Sequence, residues 1–263
     1  MQKATKFYAE LTPERTSLIL NNLAYLRSVN YQAERILARL AERQPEAVWD
    51  YFGARLARES RKDEDVERFE AVPFRFHGLE KELSKDPELA ILKGMSWFVR
   101  DPKLFRFRGG RLLSSAFPNC TSEFAAALAA LVKTANDGDR EAQFALAILQ
   151  NYDGEVSTHP VLKEIVSRFS DDADIMDAVR ISIENTGVVS GELGFADASR
   201  FRKEALAEWL TDERPVVRTF AKKLISEFDV TIASEQRRAE TEREMRKRNY
   251  DDDEQDDVGK SVE

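Results

Sequence analysis

The sequence predicts an all-α chain, and three observations carry that expectation. Apolar residues recur at helical spacing along most of the 263 residues, prolines open several of the apolar-striped segments, and no convincing run of period-two alternation is present. With only 11 Gly and 8 Pro, and with Ala, Leu, Glu, Arg and Lys abundant, the composition favours helix over sheet.

Taken in order, the first clear helix follows Pro45, where Val48, Phe52 and Leu56 stand four apart with Trp49 beside them. A charged, apolar-poor link is expected at Arg61 to Val66, and further helices after Pro87 and Pro102. Proline suits a first helical position because that amide has no intrahelical partner and its fixed φ is already helical. The nearest approach to a strand is Leu104 to Arg108, where Phe105 and Phe107 alternate with Arg106 and Arg108, but the segment is short and isolated. Phe124 to Val132 is the longest apolar stretch, far below the ~20 residues a membrane-spanning helix needs. Another helix follows Pro160. Asp171, Asp172 and Asp174 then precede a stripe of Ile175, Val179 and Ile183 with Met176 alongside, as acids at the positive end of a helix dipole do. Thr186 to Phe195, with Gly187, Gly191 and Gly194, reads as a longer loop. Trp49, Trp97 and Trp209 each lie among apolar residues at helical spacing and are expected in the core.

The strongest repeat signal lies between Phe201 and Phe228. A striped helix (Ala205, Leu206, Trp209, Leu210) is followed by a short turn and a second striped helix after Pro215, with Val217, Phe220, Ala221, Leu224, Ile225 and Phe228 on one face. The turn reads Asp212, Pro215, Val217, Arg218, Ala221, a D-x-x-P-x-V-R-x-x-A pattern that resembles the HEAT-repeat consensus. The acid can cap helix dipoles and pair with the Arg, Pro starts the second helix, and Val and Ala pack inward. Pro45 and Pro87 are 42 residues apart, as are Pro118 and Pro160, within the ~40 to 47 residues of HEAT and armadillo units. The resemblance implies a HEAT-like α-solenoid over 1–229, a right-handed stack of about five antiparallel helix pairs. A polar, charged helix is expected over 230–249, solvated because Ala239 and Met245 make no stripe, and a disordered acidic tail over 250–263.

The net charge is −8, but the tail from Tyr250 onward sets seven acids against Lys260 and so contributes −6, leaving −2 for the rest. The acidity describes the tail and does not exclude a basic patch elsewhere. Met1 to Glu10 carries no apolar core of the secretory kind, and the single cysteine, Cys120, cannot form an internal disulfide. Both fit a cytoplasmic protein that does not enter a membrane.

No catalytic, cofactor or metal site is expected from the sequence. His77, His159 and Cys120 are scattered rather than clustered at metal-ligand spacing, and the same scatter argues against a Cys-His nucleophile. No phosphate-binding glycine fingerprint is present. Cys120 could have a lowered pKa at a helix start, but a small buried thiol is the commoner outcome. One segment stands out: Arg100, Lys103, Arg106, Arg108 and Arg111 interleaved with Phe105 and Phe107 and followed in part by Gly109 and Gly110. Basic residues among aromatics serve anion contact and base stacking, while the structural alternative makes Phe105 and Phe107 core and the arginines a solvated or ion-paired surface.

These features favour a non-catalytic scaffold that holds a protein partner. Nucleic acid stays open as a partner, and a HEAT-like DNA glycosylase would add an acid and an aromatic to the basic face, though the body lacks the positive charge that DNA binding brings. Phe76, His77, Gly78, Leu79 and Glu80, with the end of the striped region after Phe228, resemble the C-terminal helical arrays of bacterial multidomain signalling NTPases. That resemblance implies a sensor or regulatory segment working with such an NTPase.

Overall fold

A computed structural model describes residues 8, 10–59, 69–135 and 138–259, with side chains through 247 apart from that of residue 59. The described residues are all-α, with no strand among them. The chain divides into two compact units, Met1–Ser182 and Ile183–Glu263, a division inside the span the sequence assigns to one array.

In the first unit, α1 (Pro13–Leu23), α2 (Tyr31–Ala41), α3 (Pro45–Glu59), the single turn α4 (Glu80–Leu83) and α5 (Pro87–Arg100) come first. A continuous helical stretch, α6 (102–116), follows, then α7 (Ser122–Thr134), α8 (Arg140–Leu149), α9 (His159–Phe169) and α10 (Ala173–Glu184). Side chains one residue outside the helices fix several of these starts. Asn30 Oδ1 accepts from the Ala33 N–H at 2.9 Å, Asp86 Oδ1 from the Leu89 N–H at 2.9 Å, and Asp172 Oδ1 from the Ile175 N–H at 3.0 Å, each satisfying an orphan donor of a first turn. Pro45 and Pro87 stand first in their helices and Pro160 second, as their chemistry requires. The charged link at 61–66 lies outside the described residues.

Helices pack mainly on near neighbours: α3 on α1, α2 and α5, α5 on α7, α7 on α9, and α6 on α8. Trp49 and Trp97 are buried with ring centroids 6.0 Å apart. The bare backbone of Gly53 makes room for this pair, since a Cβ there would stand 2.5 Å from the Trp97 indole nitrogen. Phe98, Phe105 and Phe144 form a second cluster, with centroids 5.1 to 5.8 Å apart.

Two buried charges fasten the irregular segment before α4. Arg55, wholly buried, donates from Nε to the Ala71 carbonyl at 2.9 Å and from Nη1 to those of Leu26 at 2.7 Å and Ala24 at 3.1 Å. It satisfies carbonyls just past the end of α1, where the helix dipole favours a cation. Phe69 lies under it at 4.6 Å. Glu34 accepts backbone N–H groups from His77 and, at 3.3 Å, from Leu79, and thereby holds the Phe76 to Glu80 stretch. Phe76 and Leu79 are buried and His77 exposed.

The second unit holds α11 (Gly194–Leu206), a 3-10 turn Ala207–Thr211 and α12 (Pro215–Gly259). Gly194 belongs to a helix start rather than to the loop expected there. Val217, Ala221, Leu224 and Phe228 are buried as the stripe predicts, with Trp209 against Phe220 at 6.1 Å. The turn from Asp212 to Arg218 is wired differently from the expected acid–arginine pair. The Asp212 carboxylate accepts from Arg214 Nε at 2.8 Å, and Arg218 Nη1 donates to the Asp212 and Glu213 carbonyls at 2.7 and 2.9 Å. Arg218 therefore caps the turn's backbone.

The helix continues unbroken past 229, and the expectation that nothing in 234–248 packs is corrected at Ala239, which is buried. A small side chain can be covered without a stripe, and Arg243 and Arg246 hold the helix by pairing with Glu192. Those two guanidinium groups, the Arg243 hydrogen bond foremost, lower the Glu192 pKa below the usual carboxylate range. The tail expected to be disordered, 250–263, falls where side chains, and for 260–263 the backbone too, lie outside the described residues.

Candidate functional site

The basic, aromatic segment folds as α6, in three parts: an α-helical turn Pro102–Leu104, a wider π-helical turn Phe105–Gly109, and an α-helical end Gly110–Ala116. The helix expected after Pro102 forms in spite of the local alternation, and Asp101 caps its start, with Oδ1 accepting from the Leu104 N–H at 3.0 Å. The two glycines serve packing. A Cβ on Gly109 would stand 2.3 Å from the Phe105 ring, and one on Gly110 would stand 2.2 Å from the Ala147 carbonyl oxygen. The missing side chains let α6 lie directly against α8 and let Phe105 fold back under its own turn.

This turn separates residues that looked equivalent in sequence. Phe105 is 1% exposed in the Phe98–Phe144 cluster and offers no contact surface, which corrects its place among the candidate contacts. Phe107 is 69% exposed, with the Arg108 guanidinium 4.6 Å from its ring centroid. Arg106 is exposed and donates from Nη2 to Gln143 Oε1 on α8 at 3.0 Å, while Gln143 Nε2 donates to Asp139. Lys103 is exposed, and Arg100 reaches back to the Gly53 carbonyl at 3.1 Å. The seven residues therefore do not form one surface. Lys103, Arg106, Phe107 and Arg108 present a contiguous run, Arg100 braces α5 on α3, and Phe105 is core.

Arg111 stands apart from that run. Half-buried, it donates from Nη2 to the Val72 carbonyl only at a long 3.5 Å and lies 5.5 Å from the ring of Phe74, which is itself 75% exposed. Its Nε is buried without a hydrogen-bond partner.

Two open hollows flank α8 in the first unit. One, of about 350 Å³, has Leu146 and Ile175 among its apolar lining and Arg106, Gln143 and Asp172 among its polar lining. The other, of about 420 Å³, is lined by Phe74, Arg111, Asn119, Asn151, Asp153 and Glu155. Gln150, at the end of α8, lines both. The second hollow is bordered by two helix-exit turns in left-handed backbone: Asn119 and Cys120 at φ 58° and 45°, and Asp153 at φ 47°. These are the non-glycine residues with positive φ among the described residues. The turns are bound to each other by Tyr152, whose hydroxyl donates to the Phe117 carbonyl at 2.8 Å.

Arg106, Phe107 and Arg111 were legible in the sequence, whereas Phe74, Asn119, Gln150 and Asn151 were not. Phe74 lies in no striped element, and isolated amides carry no signal; the Asp153-Gly154 pair is a turn signal that could have marked one border. Cys120 follows the expected buried-thiol reading: burial, and secondarily the Glu155 charge, push its pKa up to about 12, so it stays protonated. Among the described residues no group of three or more His, Cys, Asp or Glu side chains is placed to hold a metal, and no helix is long and apolar enough to cross a membrane. No family model, no curated protein and no solved structure matches the chain.

Proposed function

We propose that this chain is a non-catalytic scaffold of HEAT-like helical pairs that binds a protein partner through the exposed side of α6. The observation that carries the reading is Phe107, 69% exposed on a helix, with the Arg108 guanidinium near its ring and Lys103 and Arg106 exposed on the same helix. Aromatic and arginine side chains held together on a rigid element are the usual energetic centres of protein interfaces. The hollow of about 350 Å³ that Arg106 lines together with Leu146 and Ile175 offers a recess for a partner's apolar side chain. Packing of each helix chiefly on near neighbours, as in the succession α3, α5, α7, α9, supports the repeat-like description. The acids beside this surface, Asp139 and Asp172, speak against a phosphate backbone as the preferred ligand.

A photo-crosslinking side chain at position 107 tests this in a host lysate, with one at the equally exposed Leu18 on α1 as the control. A discrete protein adduct at position 107 that disappears with Arg106→Gln is the expected result. The same adducts from both positions, or adducts to nucleic acid alone, would overturn it.

A further inference from the structure

We infer that the hollow beside Phe74 and Arg111 is a second contact point, which takes an extended segment of a partner protein and seats a single Asp or Glu carboxylate of it on Arg111. The inference rests on the scaffold reading above but concerns a different set of residues. Arg111 is the anchor because its charge is unmatched: no carboxylate pairs with it among the described residues, its bond to Val72 is long, and its Nε is buried with no acceptor. A half-buried guanidinium without a counter-charge is held at a cost, and since Nε is buried and Nη2 turns to Val72, a partner carboxylate supplies the missing charge at Nη1.

The rest of the hollow suits a peptide. Asn119 and Asn151 line it with side-chain amides, which can bond the backbone of an extended chain. Asn151 Nδ2 is engaged by the Ala147 and Ile148 carbonyls at 2.9 and 3.2 Å, which fixes the side chain and leaves Oδ1 as the acceptor it can offer to a peptide N–H. Phe74, three-quarters exposed, forms an open wall that a small ligand would leave wet but a continuing chain would cover. Asp153 and Glu155 in the same lining discriminate by charge: they tolerate a single carboxylate on Arg111 and repel a dianionic phosphate or a nucleic-acid backbone.

Backbone geometry is the independent observation. The three non-glycine left-handed residues, Asn119, Cys120 and Asp153, lie in the two turns that border this hollow, and left-handed backbone in non-glycine residues persists where the surroundings over-determine it. Tyr152 supplies that constraint through its bond to Phe117. The turns are thereby rigid before a partner arrives, so little ordering cost falls on the binding step.

The test uses the full chain and random peptides displayed on phage, followed by fluorescence anisotropy with the selected peptides. The expected peptides share an Asp or Glu, and Arg111→Gln weakens them about tenfold or more, the scale of a lost charged hydrogen bond. Replacing the peptide's own acid by its amide weakens binding to the parent by a similar factor and adds nothing on Arg111→Gln, a coupling that a merely structural arginine would not show. Asn119→Gly, which relaxes the left-handed position, keeps or raises the melting temperature and still weakens binding. Enrichment of peptides without an acid, additive losses in the double replacement, undiminished binding by Asn119→Gly, tighter binding of a single-stranded oligonucleotide, or no enrichment at all would overturn the inference. Peptides that respond to Phe107→Ala but not to Arg111→Gln would leave the α6 reading standing and remove this one, whereas loss of both responses would remove both.

Discussion

Arg55 and Arg111 are both arginines beside an aromatic ring, and their surroundings are opposites. Arg55 is fully covered and meets several backbone carbonyls from the end of α1 and from 69–71, over Phe69 at 4.6 Å. Arg111 has one long bond, an orphan Nε and an exposed ring at 5.5 Å. The first is a saturated charge that closes two chain segments and has nothing left to offer. The second is an unsaturated charge on a rigid helix, which is the condition for recognising something else. Hydrogen-bond saturation, rather than residue type, separates the structural from the available cation.

The contrast breaks first at Arg55. Arg55→Leu strands several buried carbonyls, each worth about 1 to 3 kcal/mol, so a loss of about 5 kcal/mol or failure to fold is expected in urea denaturation. A stable Arg55→Leu protein would show that the carbonyls find water and that saturation was not what held this corner. A second pair sharpens the same point within one turn of helix. Phe105→Ala should cost about 3 to 5 kcal/mol as a core truncation, while Phe107→Ala should stay within about 0.5 kcal/mol. Equal losses from the two would mean that Phe107 packs in solution. Gly110→Ala should cost about 1 to 3 kcal/mol, because its Cβ meets a backbone oxygen of α8 that has no rotamer with which to retreat. At the small end, Arg111→Gln should shift stability by no more than about 0.5 kcal/mol in either direction, since little in the fold depends on it.

A pH titration gives a further check near the hollow. The Cys120 thiol is raised to about 12 in the folded chain against an ordinary value of 9.0, so the unfolded state loses its proton first. Stability should therefore fall as pH rises from about 9 towards 12, with no such contribution below 9. The melting temperature of Cys120→Ala should lack this component, and identical alkaline slopes for the two proteins would show that the thiol is not held protonated.

The sequence by itself determined the all-α class, because a 3.6-residue period and proline at helix starts are local signals that tertiary context reinforces at Val48, Trp49 and Phe52 and again at Val217 and Ala221. It also singled out α6 as the segment with surplus charge. It could not divide that segment, because the division rests on a π-helical turn that sends Phe105 inward and Phe107 outward, and on a glycine pair whose purpose is set by α8. The wiring of Asp212 to Arg214 and of Arg218 to carbonyls was likewise beyond the motif, since spacing gives proximity and not hydrogen-bond direction. Phe74, Asn119 and Asn151 became a site only in three dimensions. They come from three separate connections, and nothing in a linear pattern records that residues 74, 111 and 151 enclose one space. Periodicity is written in neighbours along the chain, whereas a hollow is written in the distances between elements, and only packing sets those.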